Sequence, residues 1–299
     1  MKNFMLIAIL FFSIELRAGC DMCTLYLGMH PNQTKNSIGL RYRLSEYNLA
    51  SAHNHGGNNH TNNIKEIRIF QTTELWAQYM PMTRWQIIAV MPYSMNSVEQ
   101  NNLVIDSYNN IGDLQIINRY LVYRSDDDDK YQKQISVGLG IKAPTGVYNE
   151  KSRAGTIDPH VQNGSGSWDM LLNTAFLIKN DRYGFNQELN LKINTKNKNE
   201  YQFANRYSSA STIFLLFKHK RISIQPSLSG MIEFADYDHS NSMSVYFSNG
   251  LSVYAQAGID IYYKKFIINV NSSMPAYEKL NDSGAENVYR IGLGVNYVL

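Results

Sequence analysis

Hydrophobicity alternates with a period of two residues through most of this chain from residue 36 onward, and this limits its possible folds more than any other feature. In residues 37–45 the apolar side chains fall on one face of an extended segment, and Arg41 and Arg43 fall on the other. The same alternation recurs in residues 134–143, 183–194 and 289–299. Because successive side chains of a strand point to opposite faces, the pattern predicts β-strands that are apolar on one side only.

About twelve such runs can be counted, an even number as in single-chain barrels of the bacterial outer membrane. They cover residues 36–47, 65–80, 83–93, 111–123, 131–143, 167–179, 183–194, 207–218, 221–235, 250–263, 265–273 and 288–299. The long connectors are residues 48–64, 94–110, 144–166, 195–206 and 236–249, and short turns lie between them. Short turns at one end and long loops at the other are typical of transmembrane β-barrels.

A soluble sandwich or lipocalin-like barrel is the alternative, because its strands alternate as well but point their apolar side chains inward. Here the polar faces are rich in Gly, Ser, Asn and Gln, whereas a soluble exterior usually carries more Lys and Glu. Tyrosines near strand ends suit the aromatic girdles of a membrane protein. They are Tyr79, Tyr93, Tyr123, Tyr183, Tyr263 and Tyr297. The sequence therefore predicts an all-β protein, an antiparallel transmembrane β-barrel in the bacterial outer membrane.

The N-terminus has the pattern of a secretory signal peptide. Lys2 precedes an apolar run over residues 4–14, and Ala18 supplies a small residue at the expected cleavage point. The run is about half the roughly 20 residues that a membrane-spanning helix needs. We expect a signal peptide over residues 1–18, a periplasmic segment over 19–35 and the barrel over 36–299. A lipid-modified Cys20 is the alternative for the mature N-terminus.

Several short motifs together resemble a family of outer-membrane barrels named for the meta pathway of phenol degradation. They are Cys20-Asp21-Met22-Cys23, Ile38-Gly39-Leu40-Arg41-Tyr42, Met91-Pro92-Tyr93, Ile111-Gly112-Asp113-Leu114, Gly138 to Gly146 and Gln162 to Asp169. The resemblance covers nearly the whole mature chain. It implies a transporter of small, often hydrophobic compounds and supplies no catalytic residues. Members tend to carry a third cysteine after the pair, where this chain has Thr24 and Leu25.

Charged residues within the strands are the candidates for a functional site. Eight of them fall on the face opposite the apolar one: Arg41, Arg43, Asp113, Arg119, Lys142, Glu188, Lys192 and Arg290. A charge facing lipid costs a few kcal/mol near the membrane midplane, so these side chains should line the lumen. Two roles remain open: they can fill a narrow barrel with ion pairs, or they can line a passage and set its selectivity.

Two groups of residues could bind a metal such as copper or zinc. Cys20 and Cys23 are the only cysteines, and they could equally form a disulfide, a redox dithiol or a lipidation site. His53, His55 and His60 lie in one Gly- and Asn-rich loop, where imidazoles could close around a metal or simply be solvated.

Other functions have weaker support in the sequence. Asp158, His160 and Ser165 supply the residue types of a hydrolase triad, but proximity in one loop shows neither a positioned base nor an oxyanion hole. The formal charge of +3 is too small to indicate nucleic-acid binding. We expect a non-enzymatic, porin-like channel in contact with outer-membrane lipid and a small solute, with a metal-binding or structural envelope protein as the alternative.

Overall fold

The computed structural model describes residues 35–50, 65–126, 129–245, 248–280 and 285–299. The predicted signal peptide, Cys20, Cys23 and the histidine loop lie outside these ranges. The strands of the first half are β1 (Ser37–Ala50), β2 (Lys65–Met82), β3 (Trp85–Gln100), β4 (Leu103–Ile111), β5 (Leu114–Arg124), β6 (Gln132–Ala143), β7 (Asp169–Lys179) and β8 (Tyr183–Ile193). Those of the second half are β9 (Tyr201–Gln202), β10 (Arg206–Leu215), β11 (Phe217–His219), β12 (Ile222–Ala235), β13 (His239–Ser240), β14 (Met243–Ser244), β15 (Gly250–Tyr263), β16 (Phe266–Leu280) and β17 (Ala285–Val298).

The long strands form one antiparallel sheet that closes on itself. Each strand pairs with its neighbours along the chain, β1 pairs with β17, and the pairing of β10 with both β8 and β12 completes the ring. β4 and β5 both pair with β3, one after the other, and so they count as one strand of the wall. β10 and β11 both pair with β12 in the same way, and the wall is therefore a closed barrel of 12 strands. The predicted fold class is therefore confirmed. No helix in the described ranges is long and apolar enough to cross a membrane.

The two faces of the wall differ as the alternation predicts. In β6 the apolar side chains are exposed on the outside: Ile135, Val137, Leu139 and Ile141. In β17, Leu293 and Val295 are exposed, whereas Gly292 and Gly294 are buried. Tyr79, Tyr123, Tyr183, Tyr263 and Tyr297 are also exposed, near the barrel end that carries the short turns. We call this end the turn end and the opposite one the loop end.

The main difference from the predicted strands lies in residues 94–110. The sequence predicts a loop there, but β3 continues to Gln100 and pairs with β4 in a hairpin. Val98 and Tyr108 of this hairpin are buried against Val161. The hairpin therefore points apolar side chains inward, opposite to the pattern by which the other strands were recognised.

Glycines on the inner face recur between two larger side chains of the flanking strands. Gly39 lies between Trp76 and Asn296 in register, and a Cβ at Gly39 would lie 2.2 Å from Asn296 Oδ1 and 2.6 Å from Trp76 Nε1. We call such a set of three inner residues on adjacent strands a lateral row. Other such rows include Ile117-Gly140-Leu171, Arg119-Gly138-Asn173, Arg41-Gly294-Asn269 and Arg43-Gly292-Asn271. The inner glycines thus let long side chains lean across the wall.

A small apolar cluster fills part of the lumen. Trp76 lies two residues from Glu74 on the inner face of β2, and Val90 and Ile88 are the register partners of Trp76 and Gln78. These side chains pack with Ile117 and Leu171. The cluster narrows the inside of the barrel between β2, β3, β5 and β7.

Candidate lumen site

A cavity of about 190 Å³ lies inside the barrel wall. Its charged lining residues are Arg41, Arg43, Lys142, Lys192, Arg290, Glu74 and Asp113. Six of the eight charged residues that the sequence placed on the inner face are among them, while Arg119 and Glu188 do not line this cavity. The uncharged lining is mixed: Thr72, Ser94, Gln115, Asn269 and Asn271 are polar, whereas Leu44, Phe70, Phe203, Met231 and Ile291 are apolar.

Arg41 and Arg43 lie two residues apart on β1, and both contact Glu74 of β2. Arg41 donates from Nε to Glu74 Oε2 at 2.6 Å, and Arg43 contacts the other carboxylate oxygen. The Glu74 side chain is 4% exposed and that of Arg43 is 29% exposed. The guanidinium side of this ion pair is therefore more exposed to the cavity than the Glu74 carboxylate.

Lys142 on β6 is the centre of a second charged cluster. Its Nζ lies 2.7 Å from Asp113 Oδ2 and 2.6 Å from Asp169 Oδ2, and it also contacts the Ser165 hydroxyl. Lys192 lies 3.9 Å from the same oxygen of Asp169. These side chains are almost fully buried, so the cations and carboxylates offset one another's desolvation.

Arg290 on β17 spans the lumen to β12. Its Nη1 donates to Glu233 Oε2 at 3.0 Å, and its Nη2 donates to the hydroxyls of Tyr254 at 2.6 Å and Tyr47 at 3.0 Å. The guanidinium also lies 4.0 Å from the centroid of the Tyr254 ring. Since β12 is separated from β17 by β15 and β16, this contact fills one side of the barrel.

The remaining predicted pair, Arg119 and Glu188, lies in the wall around β5 to β8. Arg119 reaches over Gly138 and donates to Asn173 Oδ1 at 2.6 Å, and Asn173 donates to Asn190 at 2.6 Å. Glu188 is close enough to interact electrostatically with Arg119. This part of the lumen is a packed polar network.

The connection between β6 and β7, residues 144–168, folds into the barrel at the loop end. Asp113 accepts hydrogen bonds from the backbone N–H groups of Gly146 and Ser165, each at 2.9 Å. Asn163 Nδ2 donates to the Ser94 carbonyl at 2.6 Å, and Asn96 Nδ2 donates to the Val161 carbonyl at 2.9 Å. This segment, which we call the inner segment, is thus bonded to the wall on two sides.

The inner segment separates the lumen cavity from a second cavity of about 530 Å³. The second cavity is lined by Tyr148, Asn149, Lys151, Asn197, Asn199 and Tyr201, among others. Both cavities share the lining residues Pro159, Gln162, Gly164, Ser165 and Phe203. We call the second cavity the vestibule.

The three residues considered as a hydrolase triad have separate roles in the structure. Asp158 caps a short 3₁₀ turn, Pro159–Val161, by accepting from the His160 backbone N–H at 2.9 Å. His160 Nε2 lies 3.3 Å from Asp238, and the Ser165 hydroxyl donates to Asp113 at 2.8 Å. The described ranges contain no group of three or more His, Cys, Asp or Glu side chains arranged to hold a metal ion. The five predicted metal ligands lie outside those ranges.

Sequence reasoning did not single out the acidic partners Glu74, Asp169 and Glu233. The alternation predicts an inward position for Glu74, because Glu74 is adjacent to the exposed Leu75 and points to the opposite face of β2. Glu233 was harder to recognise, since its neighbours on the inner face include the apolar Met231.

No model of a protein family matches this chain, and no curated protein matches it in sequence. The solved structures include similar folds. The COG4313 outer membrane channel from Pseudomonas putida F1 superposes with a TM-score of 0.66 at 13% identity, covering 91% of this chain and 100% of that chain.

Two further structures match more distantly. The translocator domain of the autotransporter NalP from Neisseria meningitidis has a TM-score of 0.45 at 9% identity, covering 91% of this chain and 91% of that chain. The KdgM porin has a TM-score of 0.40 at 9% identity, covering 88% of this chain and 99% of that chain. The closed barrel with its exposed apolar outer face, a fold shared with the COG4313 outer membrane channel, places the protein in the bacterial outer membrane. The meta-pathway family name stays a prediction.

Proposed function

We propose that this protein is a passive, non-enzymatic channel through which a small solute enters across the outer membrane. One observation carries the proposal: a lumen cavity with a charged lining adjoins a vestibule at the loop end, and the inner segment together with Phe203 lies between them. Channels of this kind gain selectivity from the side chains that line their narrow parts. The inner segment and the lumen arginines supply such a lining.

The polar lining bears on the choice between a polar and a hydrophobic solute, both of which the sequence leaves open. Thr72, Ser94 and Gln115 line the cavity together with the charged residues. A hydrophobic solute would displace water from these groups without replacing its hydrogen bonds, which is costly. These groups therefore support a solute that carries a polar or charged group.

Swelling of liposomes that contain the purified full-length protein tests this function. We expect faster swelling than in empty liposomes with glycerol and arabinose, and little swelling with the larger raffinose, because the lumen is narrow. If glycerol and arabinose entered no faster than into empty liposomes, the channel function would be refuted.

A further inference from the structure

Most of the ionisable side chains around the lumen cavity are cationic. The cationic residues are Arg41, Arg43, Lys142, Lys192 and Arg290, and the acidic ones that line the cavity are Glu74 and Asp113. Two further carboxylates offset part of this charge, because Asp169 pairs with Lys142 and Glu233 pairs with Arg290. We propose that the cavity binds a small organic anion, and that Arg41 and Arg43 recognise the carboxylate group of this anion. The proposal rests on the channel function and names the class of its solute.

Two lateral rows bring guanidinium groups of β1 and side-chain amides of β16 to the same part of the cavity. Arg43 is in register with Gly292, which is in register with Asn271. A Cβ at Gly292 would lie 2.7 Å from Asn271 Oδ1, so the asparagine amide leans over the glycine toward β1. Arg41 and Asn269 are related in the same way across Gly294. Guanidinium and amide groups thus face one space with no side chain between them.

Glu74 prepares the two arginines for an anion. It contacts both guanidinium groups from the side of β2, and so it fixes their directions before a solute arrives. Arginine presents its N–H groups in a planar fork that fits a carboxylate, and a prearranged fork loses little entropy on binding. Two like charges held on one carboxylate also gain from a second anion placed beside them.

The cavity volume limits the size of the anion. The volume of about 190 Å³ has room for several water molecules. It is smaller than the pockets of about 300–1,000 Å³ that hold drug-sized ligands. An acid with few carbon atoms, of which acetate is the simplest probe, suits this space.

Planar-bilayer recording with the purified full-length protein tests the charge class separately from the channel function. Conductance reports the channel, whereas the reversal potential in a salt gradient reports which ion passes. We expect chloride and acetate to permeate more readily than potassium. Arg43→Gln should lower the anion-to-cation permeability ratio roughly threefold, because one positive charge near the ion is lost.

Three variants serve as comparisons. Arg43→Lys keeps the charge and should retain most of the preference. Arg182→Gln removes a charge from an exposed turn and should leave the ratio unchanged. Asn271 does not contact Glu74, so Asn271→Ala keeps the site testable if Arg43→Gln folds poorly. This variant should lower the permeability of acetate relative to that of chloride.

The outcomes separate the two proposals. Absence of conductance would refute the channel and the anion site together. Conductance with a preference for potassium, or a ratio unchanged by both Arg43→Gln and Asn271→Ala, would overturn the anion site and leave the channel standing. Passage of chloride but not acetate would overturn the assignment to a carboxylate.

Discussion

Leu293 shows how one residue reports the orientation of a strand. It is exposed on the outer face of β17, and its neighbours Gly292 and Gly294 are buried inside. Leu293→Arg should destabilise the barrel by roughly 2–4 kcal/mol if the site is near the membrane midplane, because the charge would face lipid. The measurement is the yield of folded protein in outer membranes, read from heat-modifiable mobility on gels.

Leu293→Ala is the matched control, since it removes the same side chain without adding charge. It should fold with nearly the yield of the unmodified protein. Equal loss of folded protein in both variants would mean that packing, rather than lipid exposure, governs this position.

At the scale of elements, Lys142 fixes the inner segment to β6. With Lys142→Met, Asp113 loses its nearest cation, and Asp169 keeps only the more distant Lys192. Breaking a buried ion pair from one side costs roughly 3–5 kcal/mol, so the free energy of unfolding in detergent should fall by about that amount. The inner segment should also become more sensitive to limited proteolysis.

Lys196→Met is the comparison for this prediction. Lys196 pairs with Glu200 at 3.5 Å, but the two side chains are 41% and 61% exposed. Loss of an exposed pair should cost about 0–1 kcal/mol. If the two variants were equally stable, the Lys142 cluster would not be what holds the segment.

Alternation was enough to predict the barrel wall, because the lipid contact imposes one rule on every strand. It failed at the hairpin of β3 and β4, which packs Val98 and Tyr108 inward on Val161. The same rule predicted that Lys142 faces the lumen. Its partners Asp113, Asp169 and Ser165 could not be predicted, since alternation assigns a face but not which side chains meet across the inside.

For the molecule as a whole, the apolar cluster around Trp76 fills part of the lumen, and we expect it to limit passage toward the turn end. Trp76→Ala should raise the single-channel conductance, because the indole leaves the lumen while the hydrogen-bonded wall stays closed. The substitution should also cost roughly 3–5 kcal/mol in stability, as for other buried aromatic side chains. Planar-bilayer recording and thermal unfolding in detergent measure the two effects.

Leu75→Ala provides the control from the adjacent residue. Leu75 is 52% exposed on the outer face, so its truncation should leave the conductance unchanged. A conductance that did not change with Trp76→Ala would show that the narrowest point lies elsewhere, with the inner segment as the next candidate.

The lateral rows have a consequence for how such a barrel can evolve. In the row around Gly39, Trp76 and Asn296 lie on strands that do not neighbour each other, and both approach the position that a Cβ at this glycine would take. A larger residue at the glycine is tolerable only if a flanking side chain becomes smaller. Related sequences should therefore show correlated substitutions between β2 and β17 or between β5 and β7. In both cases the two covarying positions lie on strands that are separated by one strand of the wall.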